Sequence, residues 1–203
     1  MIVKYGVGLI LGWLLTIPSA WAAKVVVFGD SISAAYGLDI NKGWVAKLQQ
    51  QLDQHAKSKH SVVNASLSGE TTTGGLTRLG NILQQHHPDI LILELGGNDG
   101  LRGQSPTLMN KNLTAMISQA QQQKVKVLLL GMKIPPNYGK SYNQAFESVF
   151  VNVAKNSKVP FVPFFLDGVA GQEALMQADG IHPNALAQEK LMLNVWAKLK
   201  LML

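Results

Sequence analysis

The sequence predicts an α/β fold: an open, doubly wound parallel sheet of five strands between two layers of helices. Two patterns predict it. Short continuous apolar runs rich in Val, Ile and Leu recur along the chain, and three of them stop at a glycine. Runs of this kind read as strands buried on both faces, as in a parallel sheet. Between them lie longer segments whose apolar residues recur every three or four positions, the period of a helix with one buried face. Alternation of the two builds parallel strands joined by crossover helices.

The amino-terminal segment is not expected to belong to the fold. Lys4 is the only charge before Lys24, residues 5–17 are largely apolar, Pro18 interrupts them, and Ala20-Trp21-Ala22 supplies a small-x-small pattern. A basic start, an apolar centre and such a site read as an export signal. The run is shorter than the ~20 residues a membrane-spanning helix needs. Residues 1–22 are therefore expected to be removed after Ala22. Residues 23–203 are expected to form one domain, periplasmic or secreted.

The first strand is expected at residues 24–28, stopped by Gly29. A helix at 43–55 sets Trp44, Val45, Leu48 and Leu52 on one face, and 61–64 is a weaker strand candidate. The segment 75–85 aligns Leu76, Leu79, Ile82 and Leu83 as a second helix. Residues 89–95 form the most apolar strand, stopped by Gly96-Gly97. Helices at 108–122 and 142–155 bracket a strand at 126–130, and 159–163, flanked by prolines, suits a sheet edge. The last helix is expected at 184–199, with Leu191, Val195 and Leu199 inward. The result is a flavodoxin-like three-layer fold, whose ligands sit outside the carboxyl ends of the strands.

Composition excludes several functions. The chain has no cysteine, so neither a disulfide nor a thiol nucleophile is available. The formal charge of +6 becomes +5 when Lys4 leaves with the signal, and the lysines are scattered. No basic stripe is interleaved with aromatics, which argues against nucleic-acid binding. At most a peripheral contact with anionic lipid is allowed. His55, His60, His86 and His87 lack ligand partners at metal-binding spacing, so no metal and no other cofactor is expected.

Four polar motifs carry the chemistry. Gly29-Asp30-Ser31-Ile32-Ser33 follows the first strand and puts Ser31 at a strand's carboxyl end. It is not the nucleophile elbow of the α/β-hydrolases, because its fifth position is Ser33 rather than glycine. Ser68-Gly69-Glu70 follows the second strand and opens a helix, where backbone N–H groups favour an anion. Gly96-Gly97-Asn98-Asp99 follows the third strand and could hold an asparagine amide against a developing oxyanion. Asp179-Gly180-Ile181-His182 precedes the last helix. Its spacing lets one loop offer an imidazole as base and a carboxylate to orient it. Each motif alone has a plain reading as a turn or a helix cap. Three of them fall at strand ends, and the fourth supplies the base.

Together these motifs resemble those of the GDSL-type SGNH hydrolases, and closely those of the bacterial thioesterase, lysophospholipase and arylesterase group. The residues concerned are Ser31 in Gly29-Asp30-Ser31, Gly69 after Asn64-Ala65-Ser66-Leu67-Ser68, Asn98 in Gly96-Gly97-Asn98-Asp99, and His182 in Asp179-Gly180-Ile181-His182. The likeness spans essentially the whole mature chain and extends through Gly100-Leu101-Arg102-Gly103 and Pro135-Pro136-Asn137-Tyr138-Gly139. Ile32 replaces the leucine of the name motif, an apolar exchange that leaves the backbone N–H groups in place. The resemblance implies a serine esterase acting on acyl esters and thioesters. Ser31, Asp179 and His182 would be its catalytic triad, and the Ser31 and Gly69 N–H groups with the Asn98 amide its oxyanion hole.

Gly69, Asn98, Leu101 and Ile134 are the expected substrate-binding residues. The glycine-flanked loop at 100–104 reads as a mobile lid. The expected partner is a small-molecule acyl ester or thioester. For an exported enzyme, lysophospholipid is a better natural candidate than cytoplasmic acyl-CoA. The chain is expected to act as a monomer. Two alternatives are a secreted carbohydrate-ester deacetylase and a non-catalytic lipid-binding protein of the same fold.

Overall fold

The computed structural model describes residues 22–55 and 59–203. The export segment expected at 1–22 lies outside the described residues except for Ala22. Five parallel strands form one sheet: β1 (Lys24–Gly29), β2 (Ser61–Asn64), β3 (Ile90–Glu94), β4 (Lys126–Leu130) and β5 (Phe161–Val162), in the order β2-β1-β3-β4-β5. This is the expected doubly wound sheet. The chain reverses direction of winding between β1 and β3, so the crevice at their carboxyl ends is the topological switch point.

The strands are as apolar as their neighbours require. Val25, Val26, Val27 and Phe28 of β1 and all five residues of β3 are buried, because helices cover both faces of these central strands. Helices α1 (Trp44–His55) and α6 (Gln188–Leu199) pack together, while α2 (Thr72–His86), α4 (Pro106–Gln122) and α5 (Lys140–Ser157) form the other group. Trp44, Leu48 and Leu52 on α1 and Leu191, Val195 and Leu199 on α6 present the inward stripe read from the sequence. No helix among the described residues is long and apolar enough to cross a membrane.

The differences from expectation have local causes. Helix α2 begins at Thr72 rather than residue 75, because the Thr71 side chain caps Gly74 N–H and so compensates two glycines in the first turn. Helix α6 starts at Gln188; residues Ala185–Ala187 form a 3-10 turn capped by the Asn184 side chain. The segment Gly97–Leu101, expected as turn and loop, forms a short helix, α3. The expected lid is therefore partly helical. Gly100 is buried, and a Cβ there would meet Ile134 and Phe146 at 2.6 Å. The Tyr138 and Tyr142 hydroxyls donate to Leu101 and Gln104 carbonyls at 2.8 and 2.7 Å, tying the rest of that loop to the following segment.

Candidate active site

Ser31 lies in a tight series of turns directly after β1. Asp30 and Ser31 carbonyls accept from Ala34 and Tyr36 N–H at 2.9 and 3.0 Å, and Asp30 Oδ1 accepts from Ile32 N–H at 3.0 Å. The first residues past the strand are thus wound back on themselves, which leaves the Ser31 side chain at the sheet edge. The Ser31 Oγ is 2.9 Å from His182 Nε2, across 151 residues of sequence. His182 Nδ1 is 2.6 Å from Asp179 Oδ2.

The loop carrying His182 is built by its own sequence. Gly180 adopts φ +66°, a left-handed conformation suited to glycine. Asp179 Oδ1 then accepts from both the Ile181 and His182 N–H groups at 2.9 Å. Those backbone bonds, with the bond to the imidazole, hold the Asp179 carboxyl down to about 2 from its ordinary 3.8. A Met176–Pro183 bridge closes the loop. Gln177 then fixes it to the segment that follows Ser31: its Nε2 donates to the Tyr36 carbonyl at 2.8 Å and to the Pro183 carbonyl at 3.1 Å. The Tyr36 ring lies 4.5 Å from the imidazole, centroid to centroid.

The expected oxyanion donors come from three adjacent strand ends. Among the described residues, neither the Ser31 N–H nor the Gly69 N–H has an acceptor, so both are available to an anion. Gly69 has φ +77°, which favours glycine there. Asn98, in α3, donates one Nδ2 hydrogen to Asp30 Oδ2 at 3.0 Å and keeps the other. The Gly69 and Asn98 segments are also bound to each other. Arg102 donates to the Gly69 carbonyl at 3.1 Å, and buried Asp99 accepts from Thr72 N–H at 2.8 Å and from the Thr72 hydroxyl.

Beside the dyad opens a largely apolar cavity of about 410 Å³. Ile32 and Ile181, neighbours of Ser31 and His182, line it with Leu101, Met132, Ile134 and Phe164. Two expected substrate-binding residues, Leu101 and Ile134, thus line this cavity; Gly69 and Asn98 do not. No group of three acidic, histidine or cysteine side chains among the described residues is placed to hold a metal.

Sequence reasoning missed four residues that organise the site: Asp30, Glu94, Asp99 and Gln177. Asp30 and Asp99 flank singled-out residues in the motifs, which was an available signal. Glu94 sits as a lone acid at the end of an apolar strand, also visible in the sequence. Gln177 gave none.

The chain is 50% identical over 190 residues to Esterase TesA of Pseudomonas aeruginosa, covering 94% of each. It is 42% identical over 175 residues to Thioesterase 1/protease 1/lysophospholipase L1 of Escherichia coli strain K12, covering 86% of this chain and 82% of that one. A crystal structure of TesA superposes with TM-score 0.86 at 50% identity, over 89% of this chain and 99% of the other. The profile of the GDSL-like lipase/acylhydrolase family matches residues 27–190, a span that contains the Ser31, Gly69, Asn98 and Asp179/His182 motifs together, and the chain belongs to that family.

Proposed function

We propose that this chain is a serine esterase that cleaves small acyl esters and thioesters through an acyl-enzyme on Ser31. Ester hydrolysis itself follows from family membership and from the likeness to an esterase and to a thioesterase/lysophospholipase. The assignment of residues is carried by one observation: the continuous chain Ser31 Oγ–His182 Nε2 at 2.9 Å and His182 Nδ1–Asp179 Oδ2 at 2.6 Å.

In this reading Ser31 Oγ attacks the acyl carbonyl as His182 Nε2 takes its proton. The carbonyl oxygen becomes an oxyanion, received by the Ser31 and Gly69 N–H groups and the free Asn98 Nδ2 hydrogen. Asp179 keeps the proton of Nδ1 in place and stabilises the imidazolium. His182 then returns its proton to the departing alcohol or thiol. In the second half it deprotonates water, which attacks the acyl-enzyme and releases the acid and Ser31.

The apolar cavity supports an acyl chain as the recognised part of the substrate, because such walls offer a sugar few hydrogen-bond partners. This favours an acyl ester over a carbohydrate acetate. Every proposed catalytic group comes from one chain, so a monomer suffices. The Lys4 start, the apolar run and Ala20-Trp21-Ala22 support export, with lysophospholipid as the natural ester. A protein recovered from the cell envelope and beginning at Ala23 is the expected result of amino-terminal sequencing. An intact Met1 there would contradict the signal.

A fluorophosphonate probe tests the catalytic assignment. The wild-type enzyme should be labelled and lose its activity towards p-nitrophenyl esters. Folded Ser31→Ala should be neither labelled nor active, losing at least about 10³-fold in kcat. Near-normal turnover by purified Ser31→Ala would sink the assignment.

A further inference from the structure

Two buried carboxyl groups next to the nucleophile have no part in the proton relay. We propose that Asp30 and Glu94 are positioning residues for the reaction: ionised Asp30 fixes the Asn98 amide as a donor to the oxyanion, and Glu94 holds Asp30 in place. Protonation of Asp30 then switches that donor off. The proposal rests on the oxyanion hole assigned above.

Asp30 is 2% exposed and Glu94 is fully buried. Neither forms an ion pair with a lysine or arginine among the described residues. Buried carboxylates without a cation are costly, and an apolar pair would be easier to accommodate. The chain also makes room for them. A Cβ at Gly29 would lie 2.4 Å from Glu94 Oε2, and one at Gly97 would lie 3.1 Å from Asp30 Oδ2. Glycines at two motif positions thus let the carboxyl groups approach backbone.

Their hydrogen bonds define the device. Glu94 ends β3 opposite Gly29 in the sheet register. Its Oε2 accepts from the Ser33 hydroxyl at 2.6 Å and from the Asp30 N–H at 3.2 Å, while its Oε1 has no partner among the described residues. Both Asp30 oxygens are used: Oδ1 by Ile32 N–H and Oδ2 by Asn98 Nδ2, each at 3.0 Å. A carboxylate accepts only, so it selects the Asn98 rotamer that turns nitrogen, not oxygen, towards it. The second hydrogen on that nitrogen then remains for the oxyanion.

Adding a proton to Asp30 breaks this arrangement. Either oxygen that takes the proton is already accepting an N–H. The neutral acid can also donate, which favours the flipped amide with Asn98 Oδ1 facing Asp30. The hole then meets a carbonyl oxygen in place of a donor.

The groups that face Asp30 are Glu94 on β3, Asp99 on α3 and His182 on the loop before α6. Burial pushes Asp30 up to about 6, with Asp99 adding to the rise and the Ile32 N–H, His182 and Asn98 opposing it. Burial and the neighbouring Asp30 charge push Glu94 well above the carboxylate range. The switch therefore falls at the acid end of the working range.

The test is the pH profile of kcat and KM for a p-nitrophenyl ester between about pH 4.5 and about pH 8.5. Protonation of Asp30 should add its own step to the acid-side fall of log kcat. Asp30→Asn should lower kcat by about 10²-fold, the scale of one oxyanion donor, with KM little changed. Its acid limb should lack that step and be correspondingly shallower than the wild-type limb. Glu94→Gln keeps an oxygen for the Ser33 hydroxyl and the Asp30 N–H, whereas Glu94→Ala removes both bonds. Glu94→Ala should lower kcat with KM little changed and Glu94→Gln should restore it, and this pair serves as the test if Asp30→Asn does not fold. A wild-type limb no steeper than that of Asp30→Asn, or a kcat for Glu94→Ala equal to that for Glu94→Gln, overturns the proposal. A purely structural role would lower the melting temperature without changing slope or position. The catalytic assignment fails separately, through an active Ser31→Ala enzyme.

Discussion

Asp179 keeps 37% of its side chain exposed, yet its carboxyl is held down to about 2 by the His182 N–H first, then the imidazole and the Ile181 N–H. Asp30 is buried and goes the other way. The two aspartates therefore act in separate pH windows. A carboxylate with a lowered folded value lends stability above its unfolded value of ~3.9 and loses it as pH falls towards 2. Exposure to water keeps that contribution small. Asp179 is ionised throughout the working range, so the acid limb of the activity does not belong to it. Asp179→Asn retains one acceptor for the backbone N–H groups but presents an amide N–H₂, or an uncharged oxygen, to Nδ1. It no longer stabilises the imidazolium. The expected result is a fall in kcat of roughly 10⁴-fold with a melting temperature close to wild type at neutral pH. A loss below tenfold, measured alongside an unchanged melt, would remove Asp179 from the relay.

At the scale of elements, legibility followed locality. Strands β2 and β4 lie where their apolar runs end, and β5 is an edge as its prolines imply. It is only two residues long, since Pro160 and Pro163 have no N–H to give a ladder. Helix α3 was hidden because its sequence, Gly-Asn-Asp-Gly-Leu, has the composition of a turn. Tertiary contacts make it helical: Gly96 and Gly100 lie against side chains of α5 and α4, too close for a Cβ. The same division separates the site residues. Ser31, Gly69, Asn98, Asp179 and His182 could be read because each sits in a short motif at a predicted junction. Glu94 and Gln177 act on partners 61 and 141 residues away, at Ser33 and Tyr36, and no local pattern encodes such a contact. The same holds for the expected lid: glycines flank Leu101 in the sequence, whereas the hydroxyls bound to the loop come from Tyr138 and Tyr142, far along the chain.

At the scale of the whole molecule, the sheet order sets where an acyl chain can go. Ser31 and Asn98 follow β1 and β3, the strands at the switch point, and the Gly69 turn follows β2 on one side. The cavity opens on the other side, over the segments that follow β4 and β5: Met132 and Ile134 from the first, Phe164, Leu166 and Ala170 from the second. In the proposed reading the scissile carbonyl sits at the centre of the sheet and the acyl chain runs towards its β5 edge. Each methylene buried there contributes about 0.8 kcal/mol, so chain length should be read by how much of this cavity remains open. Ala170 is an exposed lining residue, and a larger side chain can be added there without entering the core. Ala170→Trp should narrow the cavity at that edge. The ratio of kcat/KM for p-nitrophenyl octanoate to that for the butyrate should fall about tenfold, within the 1–3 kcal/mol that such pocket contacts discriminate. Equal losses on both esters would place the acyl chain elsewhere. An unchanged ratio in a folded Ala170→Trp protein would do the same.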